Sequence, residues 1–378
     1  MNRSSTRSGA STNGLTVVDL FAGAGGLSCA FHQAGFSVIA AAEKDPNACG
    51  TYRVSFMDGH SPDTELFQGD LADPEALVVL RRMLGRRRVD VVVGGPPCQD
   101  FSPARLRKKP VAERMHLVHD YLRILATLQP RAFLFENVPG LLRADGGRTW
   151  RSILEGSATM GHRVFHQVLD AQEHGVPQRR KRLFVVGIEE ESAAAFSFPE
   201  PSGYRKTVWE IIGSLPRLDA GEADSTDPDH RARSHRQETV EYLAQIPQGG
   251  SWRSCTDVRT LPCHRSHNGH YDVYGRMEAH EVAPTLTGGC TNPSRGRFIH
   301  PFQHRGLTIR EAALLQTFPP SWHFCGGIES ATQQVGNAVP VELGRRLAQA
   351  LAETLRGRAP VVSRLVPERG CEVQADAR

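Results

Sequence analysis

A cysteine stands in the run Gly94-Gly95-Pro96-Pro97-Cys98-Gln99-Asp100-Phe101-Ser102, directly after the apolar stretch Val89-Asp90-Val91-Val92-Val93. The apolar stretch predicts a short buried strand. Two glycines and two prolines then end it in a tight, stiff turn. At the carboxyl edge of a parallel sheet such a turn lies where open α/β folds bind their ligands. A thiol held there is displayed rather than packed, which suits it to nucleophilic chemistry. A free cysteine is only a few per cent thiolate at neutral pH, so nearby positive groups help. Gln178-Arg179-Arg180-Lys181-Arg182 supplies them ahead of the strand-like Leu183-Phe184-Val185, and strand alternation puts Arg180 and Arg182 on one face. Taken alone, that stretch reads sooner as a solvated basic face. Glu136 and Asn137, in Phe135-Glu136-Asn137-Val138-Pro139, close another strand on the same edge. A carboxyl there serves either general acid–base chemistry or the capping of the next helix.

A second constellation precedes it. Asp19-Leu20-Phe21-Ala22-Gly23-Ala24-Gly25-Gly26-Leu27-Ser28 follows the first predicted strand and opens a helix running through Ala34. Glycines at such a turn let a ligand approach the backbone, and a helix N-terminus favours anionic groups. The spacing is not GxGxxG, which argues against a nicotinamide enzyme, but a nucleotide loop fits. Glu43 ends the second strand 18 residues after Gly25, where an acid meets ribose hydroxyls. Asp70, after a third short run, can accept from an adenine amino group. Both acids also read as helix caps or turn residues.

These groups need a scaffold. The 378 residues suffice for a large core and two domains or lobes. Short β-branched runs alternate with helical segments from Leu15 to about Ile188, which predicts an α/β fold with a mostly parallel, doubly wound sheet. From 190 to 228 the chain is acidic and rich in Pro, Gly and Ser. Residues 229–310 carry 11 arginines against 7 acids, and the alternation fades. A smaller irregular domain is therefore expected over 190–330, after a catalytic domain at 15–189. A helical pattern returns at Glu342–Leu351, within a segment 331–357. Residues 1–14 read as a disordered leader and 358–378 as a flexible tail. The net charge is only +4, so nucleic-acid affinity must come from local patches. Eight cysteines without a CxxC pair form no disulfide framework. No apolar stretch approaches the length of a membrane span and no signal core precedes the fold, so a soluble cytoplasmic protein is expected.

Six ordered blocks over residues 16–355 resemble the cytosine-5 DNA methyltransferases. They include the glycine-rich turn at 19–28, the Pro-Pro-Cys run, Glu136-Asn137-Val138, the alternating arginines, Leu307–Pro319 and Gln334-Val335-Gly336-Asn337-Ala338-Val339-Pro340. The resemblance implies a Rossmann-like methyltransferase domain using S-adenosylmethionine, followed by a target-recognition domain. Phe21 would pack on the adenine, and Gly23 and Gly25 would leave room for the methionine part beside Leu27. Glu43 would take the ribose, Asp70 the adenine amino group, and Leu71 and Pro97 would wall the pocket. Asn337 and Val339 would close it from the far end of the chain. Cys98 would add at carbon 6 of a flipped cytosine, with Glu136 at ring nitrogen 3 and Arg180 on the ring carbonyl. Arg182 and Asn137 complete the catalytic set.

The polar, basic segment Ser102–Pro110 resembles the family's mobile catalytic loop, with Ser102, Arg105, Lys108 and Lys109 as DNA contacts. Phosphate contacts help offset base extrusion, which costs about a few kcal/mol. Alignment places Ala104 where the family often fills the vacated space with a hydroxyl or amide residue. Thr285-Leu286-Thr287-Gly288-Gly289 resembles the recognition-loop signature, and Thr287, Gly288, Arg295 and Arg297 are expected to touch bases or phosphates. Thr308 should cap the helix in Leu307–Pro319. Cys255, Cys263, His264, His267 and His270 fit no standard zinc spacing, so no metal is expected. The resemblance implies a monomeric bacterial modification enzyme acting on double-stranded DNA in the nucleoid, functionally partnered by a restriction endonuclease. An RNA-methylating relative and an inactive DNA-binding regulator are the alternatives.

Overall fold

The computed structural model of the chain describes residues 14–96, 111–254 and 272–357. The expectations for residues 1–13 and 358–378, for Pro97, Cys98, Ser102, Arg105, Lys108 and Lys109, and for Cys255, Cys263, His264, His267 and His270 fall outside them.

Seven strands make one sheet: β1 (Thr16–Leu20), β2 (Ser37–Glu43), β3 (Glu65–Gln68), β4 (Val91–Gly94), β5 (Ala132–Asn137), β6 (His162–Asp170) and β7 (Lys181–Glu189). Their order is β3-β2-β1-β4-β5-β7-β6. The first five strands run parallel, while β7 is antiparallel to both β5 and β6. Val17, Val18 and Leu20 of β1 and Val91 to Val93 of β4 have no exposed surface. Such β-branched runs suit strands covered on both faces. The strand order turns around between β1 and β4, so a crevice opens at their carboxyl ends.

Helices α1 (Gly26–Gln33), α2 (Pro46–Thr51), α3 (Pro74–Leu84), α4 (Val111–Leu128), α5 (Arg148–Thr159) and α6 (Glu190–Ala193) belong to this first part. Asp73 starts α3 by accepting from the Glu75 N–H, with Pro74 in the first turn. The end of α2 widens into a π-type turn over Tyr52–Met57, and such turns recur at functional sites. After β7 come the short helices α7 (Val208–Ile212) and α8 (Gln237–Ala244), with isolated β-bridges among irregular loops. Then follow α9 (Ile309–Leu315), α10 (Ile328–Asn337) and α11 (Val341–Leu355). Thr308 caps α9 as the sequence predicts, and Glu311 reciprocates to complete a capping box.

In α11, Gly344, Leu347, Ala348, Leu351, Ala352 and Leu355 are buried at helical spacing. A Cβ on Gly344 would stand 2.8 Å from that of Ala30, so α11 lies against α1 at backbone distance. One apolar cluster joins Val17, Phe31 and Val186 to Leu286, Phe298, Leu307, Phe318 and Leu347. A second fills the other sheet face with Val18, Leu80, Leu125 and Phe133. Tyr242, Leu243, Ile246 and Ile299 form a small separate cluster.

Candidate active site

The turn after β1 is held in an unusual backbone state. Phe21 has φ 57°, Gly23 φ 55° and Gly25 φ 87°. A bulky residue in the left-handed region is strained, and such strain gathers at ligand sites. The glycines meet different needs. A Cβ on Gly23 would find nothing within 4 Å, whereas one on Gly25 would lie 3.1 Å from the Tyr52 ring and 3.2 Å from Trp322. A Cβ on Gly26 would come within 2.9 Å of the Val339 carbonyl oxygen, so the segment after α10 closes directly over the start of α1.

Three acids surround this turn. Glu43 accepts from the N–H groups of Gly23, Lys44 and Asp45, each at 2.8 Å. A carboxylate offers about four acceptor positions, so Glu43 is oriented by backbone and keeps capacity for a further donor. Asp70 accepts from the Ala72 N–H at 3.0 Å and pairs with Lys44 at 3.2 Å. The Ala72 bond, then Lys44, hold its carboxyl below the usual range against partial burial. Asp19, at 1 % exposure, had no role in the sequence reading. Its Oδ2 accepts from the Ser28 hydroxyl at 2.7 Å, and that hydroxyl lies 2.7 Å from the Tyr52 hydroxyl. Burial pushes the Asp19 carboxyl up to about 7, opposed by the Ser28 bonds and reinforced by Glu43.

The chemical groups gather at the ends of β4, β5 and β7. A Cβ on Gly94 would sit 2.7 Å from the Leu20 carbonyl oxygen, and one on Gly95 would sit 2.9 Å from Glu136 Oε2. Gly94 is thus required for β4 to pass beside β1, while a side chain at Gly95 would displace the Glu136 carboxylate. Asn137 donates from Nδ2 to the Pro96 carbonyl at 3.2 Å and accepts the Val138 N–H at 2.9 Å. It therefore ties the turn after β4 to the end of β5. Glu136 is buried and lies 3.0 Å from Arg182 Nε. Burial raises its carboxyl, while Arg182 and then Arg180 draw it back.

Arg180 and Arg182 both reach the cleft, but they are held differently. Arg180 is 2 % exposed and donates to the carbonyls of Leu286 at 2.9 Å and Gly336 at 3.1 Å. It thereby stitches the 285–289 loop to the end of α10. Two buried glutamines extend this seam. Gln178 donates to Gln316 at 2.9 Å and accepts the Leu286 N–H at 2.9 Å. Gln316 in turn donates to the Val335 carbonyl at 2.7 Å. Sequence reading did not single out this pair, whose members lie 138 residues apart.

Phe21, Gly23, Leu27, Glu43, Asp70, Leu71, Asn337 and Val339 line one cleft of about 1090 Å³ together with Glu136, Arg180, Arg182, Thr287, Gly288 and Arg295. Gly25 and Asn137 are not among its lining residues and act through the turns they set. Arg297 is also outside the lining. Its guanidinium donates to the carbonyls of Gly249 at 2.6 Å and Gly250 at 2.7 Å, bracing that loop. Among the described residues, Asp227, Asp229 and His323 form the group with metal-ligand geometry. Arg310 already occupies both carboxylates there, at 2.5 Å and 3.5 Å.

A family model described as C-5 cytosine-specific DNA methylase matches residues 15–353. Type II methyltransferase M1.HphI of Haemophilus parahaemolyticus is 37% identical over 341 residues, covering 89% of this chain and 86% of that protein. Type II methylase M.HgiDII of Herpetosiphon aurantiacus is 31% identical, covering 90% and 96%. Among solved structures, an E. coli prophage-encoded protein described as a DNA modification methyltransferase superposes with a TM-score of 0.70. It shares 23% identity and covers 90% of this chain and 99% of its own. The match to the family model and the relatives spans most of the chain, and the chain belongs to the C-5 cytosine-specific DNA methylases.

Proposed function

We propose that this chain is the modification methyltransferase of a Type II restriction-modification system. It transfers a methyl group from S-adenosylmethionine to carbon 5 of a cytosine in a specific duplex sequence. The carrying observation is that the Glu136–Arg182 pair lines the same cleft as the strained glycine turn and its acids. The cleft fits the cofactor. Gly23 leaves open space, Glu43 retains acceptor capacity for ribose, Asp70 is an ionised acceptor, and the buried Asp19 Oδ1 lacks a partner. Phe21, Leu27, Leu71 and Val339 give it apolar walls, and Asn337 reaches it from the end of α10. When bound, the cofactor supplies an electrophilic methyl group.

The residues then divide the work. The Cys98 thiolate adds at carbon 6 of a cytosine flipped from the duplex, forming an S–C bond and making carbon 5 nucleophilic. Glu136, whose carboxyl burial favours the protonated form, holds a proton at ring nitrogen 3 and accepts from the 4-amino group. With both Arg180 terminal nitrogens on backbone carbonyls, holding the ring carbonyl falls to Arg182 rather than to Arg180. Asn137 keeps the Pro96 carbonyl, and so the approach to Cys98, in register with Glu136. After carbon 5 is methylated, a water removes its proton, the ring double bond re-forms and the Cys98 thiolate leaves. Residues 190–330 carry target recognition, and the enzyme works as a monomer beside a cognate endonuclease.

Cys98→Ala is expected to abolish methylation while leaving cofactor binding intact. Duplex DNA carrying 5-fluorocytosine at the target should trap the wild type covalently, because no proton can leave carbon 5. An adduct that persists in Cys98→Ala would overturn the mechanism. Methyl transfer to transfer RNA in preference to DNA would overturn the substrate.

A further inference from the structure

Arg233 and Glu329 form an ion pair on the cleft wall that the methylation chemistry above does not use. The arginine is fixed from several sides. Its carbonyl accepts the Gly221 N–H at 3.1 Å and the adjacent Ala232 N–H donates to Glu222 at 2.8 Å, which ties its backbone into a short antiparallel bridge. Its Nε donates to the Thr291 hydroxyl at 2.9 Å, and that hydroxyl lies 2.9 Å from the Thr332 hydroxyl of α10. Both threonines are buried. On the same loop Arg295 lines the cleft too, with its stem against Gly289. Glu329 is held far less. Its side chain is 76 % exposed against 19 % for Arg233, and Arg233 Nη1 reaches it at 2.6 Å. An ion pair so exposed adds little to folding. Nor does the glutamate aim the arginine, since Thr291 already does. The carboxylate covers one edge of a guanidinium whose fork matches a phosphate equally well. Glu329, Gln333 and Asn337 follow one another at i, i+4 and i+8 on α10, and all line the cleft. Eight helical residues span about 12 Å, so the pair stands at the opposite end of α10 from the segment that closes over Gly26.

We propose that Arg233 contacts a phosphate of the substrate DNA strand at the mouth of the cleft, and that Glu329 occupies it in the free protein as an internal stand-in for that phosphate. The proposal rests on the methyltransferase reading and adds to it a DNA contact and a brake on binding. A strand drawn into the cleft displaces the exposed carboxylate, while Thr291 keeps the guanidinium in place for the phosphate oxygens. Each productive encounter therefore opens one ion pair. Duplex that stays outside the cleft gains nothing from Arg233, because the glutamate still covers it.

The target duplex is first defined by bisulfite sequencing of DNA methylated by the wild type. Its binding to the full chain is then followed by fluorescence anisotropy over a range of salt, with S-adenosylhomocysteine present. Arg233→Gln should weaken binding about ten- to a hundredfold, as loss of a charged hydrogen bond requires, and flatten the slope of log affinity against log salt by roughly one unit. Glu329→Gln should tighten binding about two- to fivefold, the worth of an exposed ion pair. The decisive reading is the double variant. Glu329→Gln should bring no gain once Arg233→Gln is present, because the glutamate then has nothing to cover. An equal gain with and without Arg233 would show general repulsion between an acid and DNA, and overturns the stand-in. Unchanged affinity and salt slope in Arg233→Gln overturn the phosphate contact. Should Arg233→Gln fail to fold, the exposed Glu329→Gln still decides, since the absence of any gain in DNA affinity overturns the proposal. A wild type that methylates no duplex overturns the methyltransferase reading and this proposal together, whereas an active wild type with these variants unaltered overturns this proposal alone.

Discussion

The glycine turn after β1 and the arginine pair at the start of β7 shape the same cleft by opposite means. In the turn, backbone does the positioning: positive φ angles at Phe21, Gly23 and Gly25 aim main-chain groups, and three N–H donors orient Glu43. At the arginines, long side chains position the backbone. Arg180 gathers the Leu286 and Gly336 carbonyls, and two residues later Arg182 turns to Glu136. Backbone states are restricted by residue type, so glycines announce them. A guanidinium has five donors on a flexible stem, and its task is set by whatever the fold brings within reach.

The largest effects should separate the two arginines. Arg182→Ala is expected to lower turnover about 10²–10³-fold, the usual consequence of removing one donor to developing charge, with the melting temperature close to wild type. Arg180→Ala leaves two buried carbonyls without this donor, at about 1–3 kcal/mol each, and should be read first as a loss of thermal stability. Steady-state kinetics and thermal melts on both variants test this. A stable Arg180→Ala protein with the larger loss of turnover would return the ring-carbonyl role to Arg180.

This contrast also marks how far the sequence could be read. The sheet strands, the Thr308 cap and the turn at 19–28 follow from β-branched runs, a Ser/Thr-type cap and glycine placement, all of which are local signals. The places of Glu43, Asp70 and Glu136 on the cleft were legible because each stands at or just past a strand end, where the topology makes position predictive. That Arg297 braces Gly249 and Gly250 was not legible, because nothing local reports a partner 48 residues away. Gln178 and Gln316 were missed for the same reason. Asp19 carried no role in the sequence, since only the packed site shows that Oδ1 has no partner.

A smaller effect sharpens the comparison where the two regions meet. A Cβ on Gly336 would lie 2.1 Å from the Thr287 carbonyl carbon, whereas one on Gly288 would lie 3.5 Å from its nearest neighbours. Gly336→Ala must push the 285–289 loop off α10 and should cost about 1–3 kcal/mol of stability. Gly288→Ala should be nearly neutral in the same melt. Equal melting temperatures for the two would show that the 285–289 loop does not depend on this close approach.

The smallest expected effect lies at Asp70, where the cofactor side relies on a side chain. Its contact with Lys44 is exposed on both partners, and such pairs contribute about 0–1 kcal/mol to folding. Asp70→Ala should therefore leave the melting temperature almost unchanged. The Ala72 N–H keeps the carboxylate ionised and turned toward the cleft, so cofactor affinity should fall instead. The expected loss is about 0.5–1.5 kcal/mol for a neutral hydrogen bond, rising to about 3 for a charged one. Asp70→Asn keeps a single acceptor oxygen where the carboxylate has two, and should fall between wild type and the alanine variant. Calorimetry on the three proteins gives the order directly. Unchanged affinity in Asp70→Ala would remove Asp70 from the pocket and leave backbone-oriented Glu43 as the cofactor-side acid outside the buried Asp19.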